Sequence, residues 1–171
     1  MSAGELQQTF DRTFAEAPRA DATPQEDLLA ITIGGDPYAM RLSEVAGLYP
    51  DRRITWLPGS VPALLGLVGL RGALLPVYDL RTLLGYPKAA TRRWLAVMAD
   101  GQVALGFEQF DNHLRVPRSA IAETGTGSAT GRPQPVREVA HTDGLVRPII
   151  HLPSVLEAIA VMAHHAARPK E

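Results

Sequence analysis

Between Leu28 and Leu156 the apolar positions fall into short runs separated by glycine, proline and aspartate. That spacing predicts β-strands rather than long helices. "LLAITI" is followed by the turn "GGDP" and then "YAMRL", which reads as a hairpin. "EVAGLYPDRRITWLP" is mixed in character and broken by Pro50 and Pro58. "ALLGLVGL" and "ALLPVY" flank Arg71-Gly72 and read as a second, tight hairpin. "WLAVMA", the turn "DGQ" and "VALGF" form a third, and "GLVRPIIHL" is a last strand. Ser154 and Glu157 fit a capping box that opens a C-terminal helix. At the other end, residues 2–17 predict a helix: Ser2 and Glu5 fit a capping box, and Leu6, Phe10 and Phe14 share one face. "APRADATPQED" then reads as a linker, and "AETGTGSATGRPQP" as an exposed loop.

The chain also echoes itself. "PVYDLRTLL" (Pro76 to Leu84) aligns with "PIIHLPSVL" (Pro148 to Leu156), and "LLAITIGG" (Leu28 to Gly35) with "WLAVMADG" (Trp94 to Gly101). The echo implies two similar β units packed together. Small barrels suit such short strands because closure removes most exposed sheet edges. The expected fold class is all-β with minor α. The expected organisation is a tail over 1–27, one domain over 28–163 with interleaved halves and a hinge near 85–93, and a second tail over 164–171.

Composition narrows the function. The 171 residues carry a formal net charge of −1, with no cysteine. No basic stripe points to nucleic acid, and no disulfide framework or thiolate metal site is available. "IIHLPSVLEAIAVMA" is interrupted by His151, Pro153 and Glu157 and is too short to span a bilayer. A cytoplasmic protein without membrane insertion is expected.

Catalytic and cofactor signatures find little footing. Gly66, Gly69 and Gly72 lack the Gly-x-Gly pair of a dinucleotide loop, and β-branched residues and proline follow where a helix should open. "GTGSATGRP" from Gly125 lacks the Lys-Ser/Thr of a phosphate loop. His113, His141, His151, His164 and His165 show no ligand spacing, and His151 reads as a satisfied, half-buried side chain. Asp79, Glu108 and Asp111 are conceivable acid–base carboxylates, with nothing in the sequence to bring them together. The glycines read as mechanical instead. Gly72 permits the positive φ of a two-residue turn, while Gly66 and Gly69 thin a strand where another chain segment comes close. Arg71 fits two roles, satisfying loop carbonyls or meeting a partner.

At these residues the sequence resembles the CheW family, the coupling proteins of bacterial chemotaxis. "PALLGLVGLRGALLPVYDLR" matches the family signature at Pro62, Gly66, Leu70, Arg71, Gly72, Pro76, Asp79, Leu80 and Arg81. "LLAITIGGDPYAMRLSEV", "LGFEQFDNHLRVP" and "GLVRPIIHLPSVL" extend the likeness over about Leu28 to Ile159. The resemblance implies two five-stranded SH3-like barrels packed together with a C-terminal helix. It also implies no catalysis, no cofactor and no metal. The implied partners are the regulatory domain of a CheA-type histidine kinase and the cytoplasmic tip of methyl-accepting chemoreceptors, so that the protein is recruited to receptor arrays. Carried over by position, the partner-binding residues are Val45, Leu48, Gly66, Gly69, Arg71 and Trp94. Gly69 stands where the family has Asn, Gly47 where an acidic residue is usual, and His113 where a Val is usual. These departures motivate an alternative, a CheW-like binding or decoy module of a non-flagellar chemosensory system that does not activate the kinase. A hydrolase using Asp79 and Glu108 is the remaining alternative.

Overall fold

The computed structural model describes residues 23–88, 92–125 and 134–167. The helix expected over 2–17 and most of the loop from Gly125 lie outside the described residues.

Among the described residues, twelve strands form two sheets of six. They run β1 (Gln25–Ile33), β2 (Asp36–Arg41), β3 (Val45–Pro50), β4 (Thr55–Trp56), β5 (Leu64–Leu70) and β6 (Ala73–Asp79), then β7 (Trp94–Met98), β8 (Ala104–Phe107), β9 (Gln109–Pro117), β10 (Ile121–Glu123), β11 (Val136–Thr142) and β12 (Leu145–Ile150). A short helix α1 (Leu80–Leu83) leaves β6, and a long helix α2 (Leu152–Ala166) leaves β12. The first barrel has the order β10-β11-β12-β2-β1-β9 and the second β4-β5-β6-β8-β7-β3. Each is five longer strands with a short edge strand, β10 or β4.

The two orders superpose, and this explains the internal echo. In each barrel one parallel junction, β12 with β2 or β6 with β8, joins two antiparallel hairpins. β1 and β7, the echoed strands, hold equivalent places, as do β6 and β12. The sequence repeats are not the barrels, however. β3 follows β2 in the chain but pairs with β7 in the other sheet, and β9 follows β8 but pairs with β1. Each repeat gives its first hairpin to one barrel and its remaining strands to the other.

Strand periodicity builds three cores. Along β7, Leu95 and Val97 face the interior of the second barrel, while Ala96 and Met98 face a core shared between the barrels. Ile149 and Ile150 on β12 divide in the same way between the first barrel's interior and the shared core. With both faces buried, these strands read as continuous apolar runs rather than alternating ones. Phe107, Leu80, Leu152 and Ile33 fill the shared core without exposure. Complete burial of such a side chain stabilises the fold by about 1.5–3 kcal/mol.

The C-terminal helix starts one turn earlier than the capping box at Ser154 suggested. His151 is the N-cap, and its Nδ1 accepts from the Ser154 backbone N–H at 3.3 Å and contacts Ser154 Oγ at 2.7 Å. Pro153 fits the first turn because no helical partner is lost there. His151 is thus the half-buried, satisfied side chain that its apolar setting implied.

Candidate partner-binding site

The six expected site residues occupy four places. Val45, Leu48 and Trp94 are half-buried and pack against the shared core. Val45 lies opposite Met98, Leu48 opposite Ala96 and Pro50 opposite Trp94, so edge strand β3 and its neighbour β7 bring them to one face. Trp94 also meets Phe110 of the other barrel edge-on, with ring centroids 5.4 Å apart. These three line the seam where the barrels join.

Gly66 is buried inside the second barrel. A Cβ there would lie 2.0 Å from the Thr55 carbonyl oxygen, so the absent side chain makes room for β4. The close approach expected at Gly66 is present; the one expected at Gly69 is not. Gly69 is exposed with nothing within 4 Å of a built Cβ, because it lies on the outer face opposite Leu74. Arg71 sits at the tip of the β5–β6 hairpin with φ 49°, and Gly72 follows with φ 82°. Two positive φ values in a two-residue turn describe a type I′ hairpin. The Arg71 guanidinium lies over the Tyr49 ring, 5.9 Å from its centroid, and Arg52 lies over the same ring at 5.5 Å. Tyr49 is the neighbour of Leu48 on β3 and turns the opposite way, toward the second barrel's interior. One strand therefore supplies apolar side chains to the seam and a ring to Arg71.

Tyr49, Arg52, Trp56 and Leu74 were not singled out from the sequence. Trp56 and Leu74 are each 72% exposed, although both are large and apolar, a feature that marks interaction surfaces when grouped. Leu74 sits on the outer face of β6, next in line to the turn. The isolated tryptophan among arginines and prolines in "DRRITWLP" was the available signal for Trp56.

The carboxylates raised as catalytic candidates are engaged in structure. Asp79, 1% exposed, accepts from Arg92 through both oxygens at 3.1 Å and from Thr82 Oγ1 at 2.6 Å. Glu108 accepts from Arg81 and from the Gly34 backbone N–H, tying a turn of the first barrel to the helix leaving the second. Arg81 also donates to the Pro87 carbonyl at 2.5 Å. Asp111 accepts from Thr32 and faces Arg147 at 3.4 Å. Tyr86 donates to Asp36 at 2.5 Å and contacts the Tyr38 hydroxyl at 2.8 Å, and these bonds push its phenol well above the usual range. Among the described residues, no three His, Asp or Glu side chains gather as metal ligands, and no helix is long and apolar enough to cross a membrane.

Comparison with known proteins agrees with this geometry. The family model of the CheW-like domain matches residues 27–160. The chemotaxis protein CheW of Bacillus subtilis (strain 168) is 23% identical over 142 residues, covering 81% of this chain and 91% of that protein. The crystal structure of the scaffolding protein TtCheW from Thermoanaerobacter tengcongensis aligns with a TM-score of 0.64 at 19% identity, covering 74% of this chain and 89% of that one. The chain belongs to the CheW-like domain family, and its fold is that of a chemotaxis scaffold.

Proposed function

We propose that this protein is a non-catalytic cytoplasmic adaptor that couples chemoreceptors to a CheA-type histidine kinase. The observation that carries this reading is the presence of two sets of apolar side chains on one domain, one half-buried and one exposed. The first is the seam bearing Val45, Leu48 and Trp94, with Arg71 and Tyr49 beside it. The second is the outside of the second barrel, where Trp56 and Leu74 stand exposed. A half-buried apolar groove suits the apolar face of a helix, so we assign the receptor's helical hairpin tip to the seam. We assign the kinase regulatory domain to the outer surface. Strand exchange between the repeats supports a single binding unit, since each barrel is built partly from the other's repeat. Individually weak contacts gain strength through avidity in an array.

The test is binding by purified protein to a chemoreceptor signalling hairpin and to a CheA regulatory domain from the same organism. The expected result is binding of both at roughly tens of micromolar or tighter, simultaneously, with Trp94→Ala weakening only the hairpin and Leu74→Asp weakening only the kinase domain. Absence of both interactions overturns the proposal. Binding of the hairpin alone supports the decoy module.

A further inference from the structure

The convergence of Arg52 and Arg71 on Tyr49 points to a recognition site for a carboxylate. The two arginines are far apart in sequence, one just after β3 and the other at the β5–β6 turn. Both guanidinium groups nevertheless lie within 6 Å of a single ring centroid. Both side chains belong to exposed residues. Asp51, the acidic neighbour of Arg52, faces Arg93 instead, at 3.4 Å. Among the described residues no carboxylate pairs with Arg52 or Arg71. By contrast, Arg41, Arg81, Arg92 and Arg147 each face one.

Arg71 holds a left-handed backbone conformation, which is unfavourable in a residue with a Cβ. Strain of this kind collects where function maintains it. A guanidinium fork matches the two oxygens of a carboxylate, and neither Arg52 nor Arg71 faces one among the described residues.

We propose that Arg52 and Arg71, backed by Tyr49, grip an acidic side chain of a polypeptide partner. Leu48 lines the seam and Tyr49, the next residue on edge strand β3, faces the other side of that sheet, so the acidic residue is placed across the β3 edge from the partner's apolar anchors. This placement rests on the seam being the receptor surface, and the carboxylate then belongs to the receptor hairpin.

Two measurements on the full chain separate the site from that placement. The first follows the arginine Nε–H and Tyr49 ring signals by NMR during titration with a capped tetraglutamate peptide, with tetraglutamine as reference. Saturable shifts at Arg52, Arg71 and Tyr49, absent with tetraglutamine and smaller at Arg115, support the site. Equal shifts at all exposed arginines, or none at the three residues, overturn it. Stronger binding of inorganic phosphate at the same residues also overturns it, since the site would then read phosphate rather than carboxylate. The second measures affinity for the receptor hairpin with Arg52→Gln, Arg71→Gln and the control Arg115→Gln. Each of the first two is expected to weaken binding about five-fold, the size of a rim ion pair, with a reduced dependence on salt; the control should not. A hairpin bound equally by wild type and Arg52→Gln overturns the proposal. Localised peptide shifts with no hairpin binding uphold the carboxylate site and overturn the receptor assignment.

Discussion

Both carboxylate oxygens of Asp79 are held by one guanidinium, that of Arg92, at 3.1 Å. The pair joins the end of β6 to the segment entering β7, and Thr82 Oγ1 completes it from the first turn of α1. The Asp-Leu-Arg that closes the signature stretch is therefore a structural clasp, with Asp79 bound to Arg92 and Arg81 to Glu108. Asp79→Asn leaves the Arg92 charge without its partner in a largely buried setting. A loss of about 3 kcal/mol is expected, seen as a fall in Tm of roughly 6–12 °C. An unchanged Tm would contradict the clasp.

Gly66 and Gly69 look alike in the sequence and differ in space. Gly66→Ala drives a Cβ into the Thr55 carbonyl, backbone that cannot yield without displacing β4. Destabilisation of about 3 kcal/mol or more is expected in urea unfolding. Gly69→Ala meets nothing within 4 Å and should stay within about 0.5 kcal/mol of wild type. Equal effects at the two positions would show that the β4–β5 packing is misassigned.

Arg71 offers a way to separate stability from binding. Asn-Gly is the preferred pair for a type I′ turn, so Arg71→Asn relieves backbone strain. It also removes the stacking on Tyr49, worth about 0.5–1 kcal/mol at an exposed site. The two effects oppose each other, and a net change within about 1 kcal/mol is expected. Hairpin affinity should fall about five-fold or more. A large fall in Tm would instead make Arg71 a structural residue.

Glu44 gives a pH signature. Burial raises its carboxyl above the ordinary 4.5, while the Leu152 N–H, Arg41 and His151 pull it back. For an acid raised in the folded state, the native protein binds the proton more tightly than the unfolded chain. The stability linked to protonation is therefore complete below about pH 4.5 and is lost as pH rises through the folded value. Glu44→Gln should be more stable than wild type at pH 7, and the gap should close on acidification through that window. Urea unfolding of both proteins across pH 4–8 checks this; a gap that widens at low pH contradicts it.

Much of the fold was legible because both faces of the central strands are buried. Leu95 to Met98 and Ala104 to Phe107 read as apolar runs wherever their side chains point, and the turns at Arg71-Gly72 and Asp100-Gly101 punctuate them. The echo of β1 with β7 and of β6 with β12 exposed the pseudo-symmetry. The exchange of β3 and β9 between sheets was not legible, since the local pattern of a strand does not specify which of two equivalent edges it joins. The same holds for the site. Val45, Leu48 and Trp94 do meet at one seam, whereas the Tyr49 ring under Arg71 and Arg52 depends on contacts between distant segments. The capping of α2 by His151 was missed because Ser154 offers the commoner signal one turn later.

The central claim is coupling, and kinase output reads it most directly. Receptor-containing membranes and the CheA-type kinase from the same organism, reconstituted with and without this protein, would be assayed for kinase autophosphorylation. The account predicts that the wild-type protein brings the kinase under receptor control, that attractant then changes the rate, and that Trp94→Ala abolishes this control while remaining folded. Receptor binding with an autophosphorylation rate indifferent to the protein would contradict it.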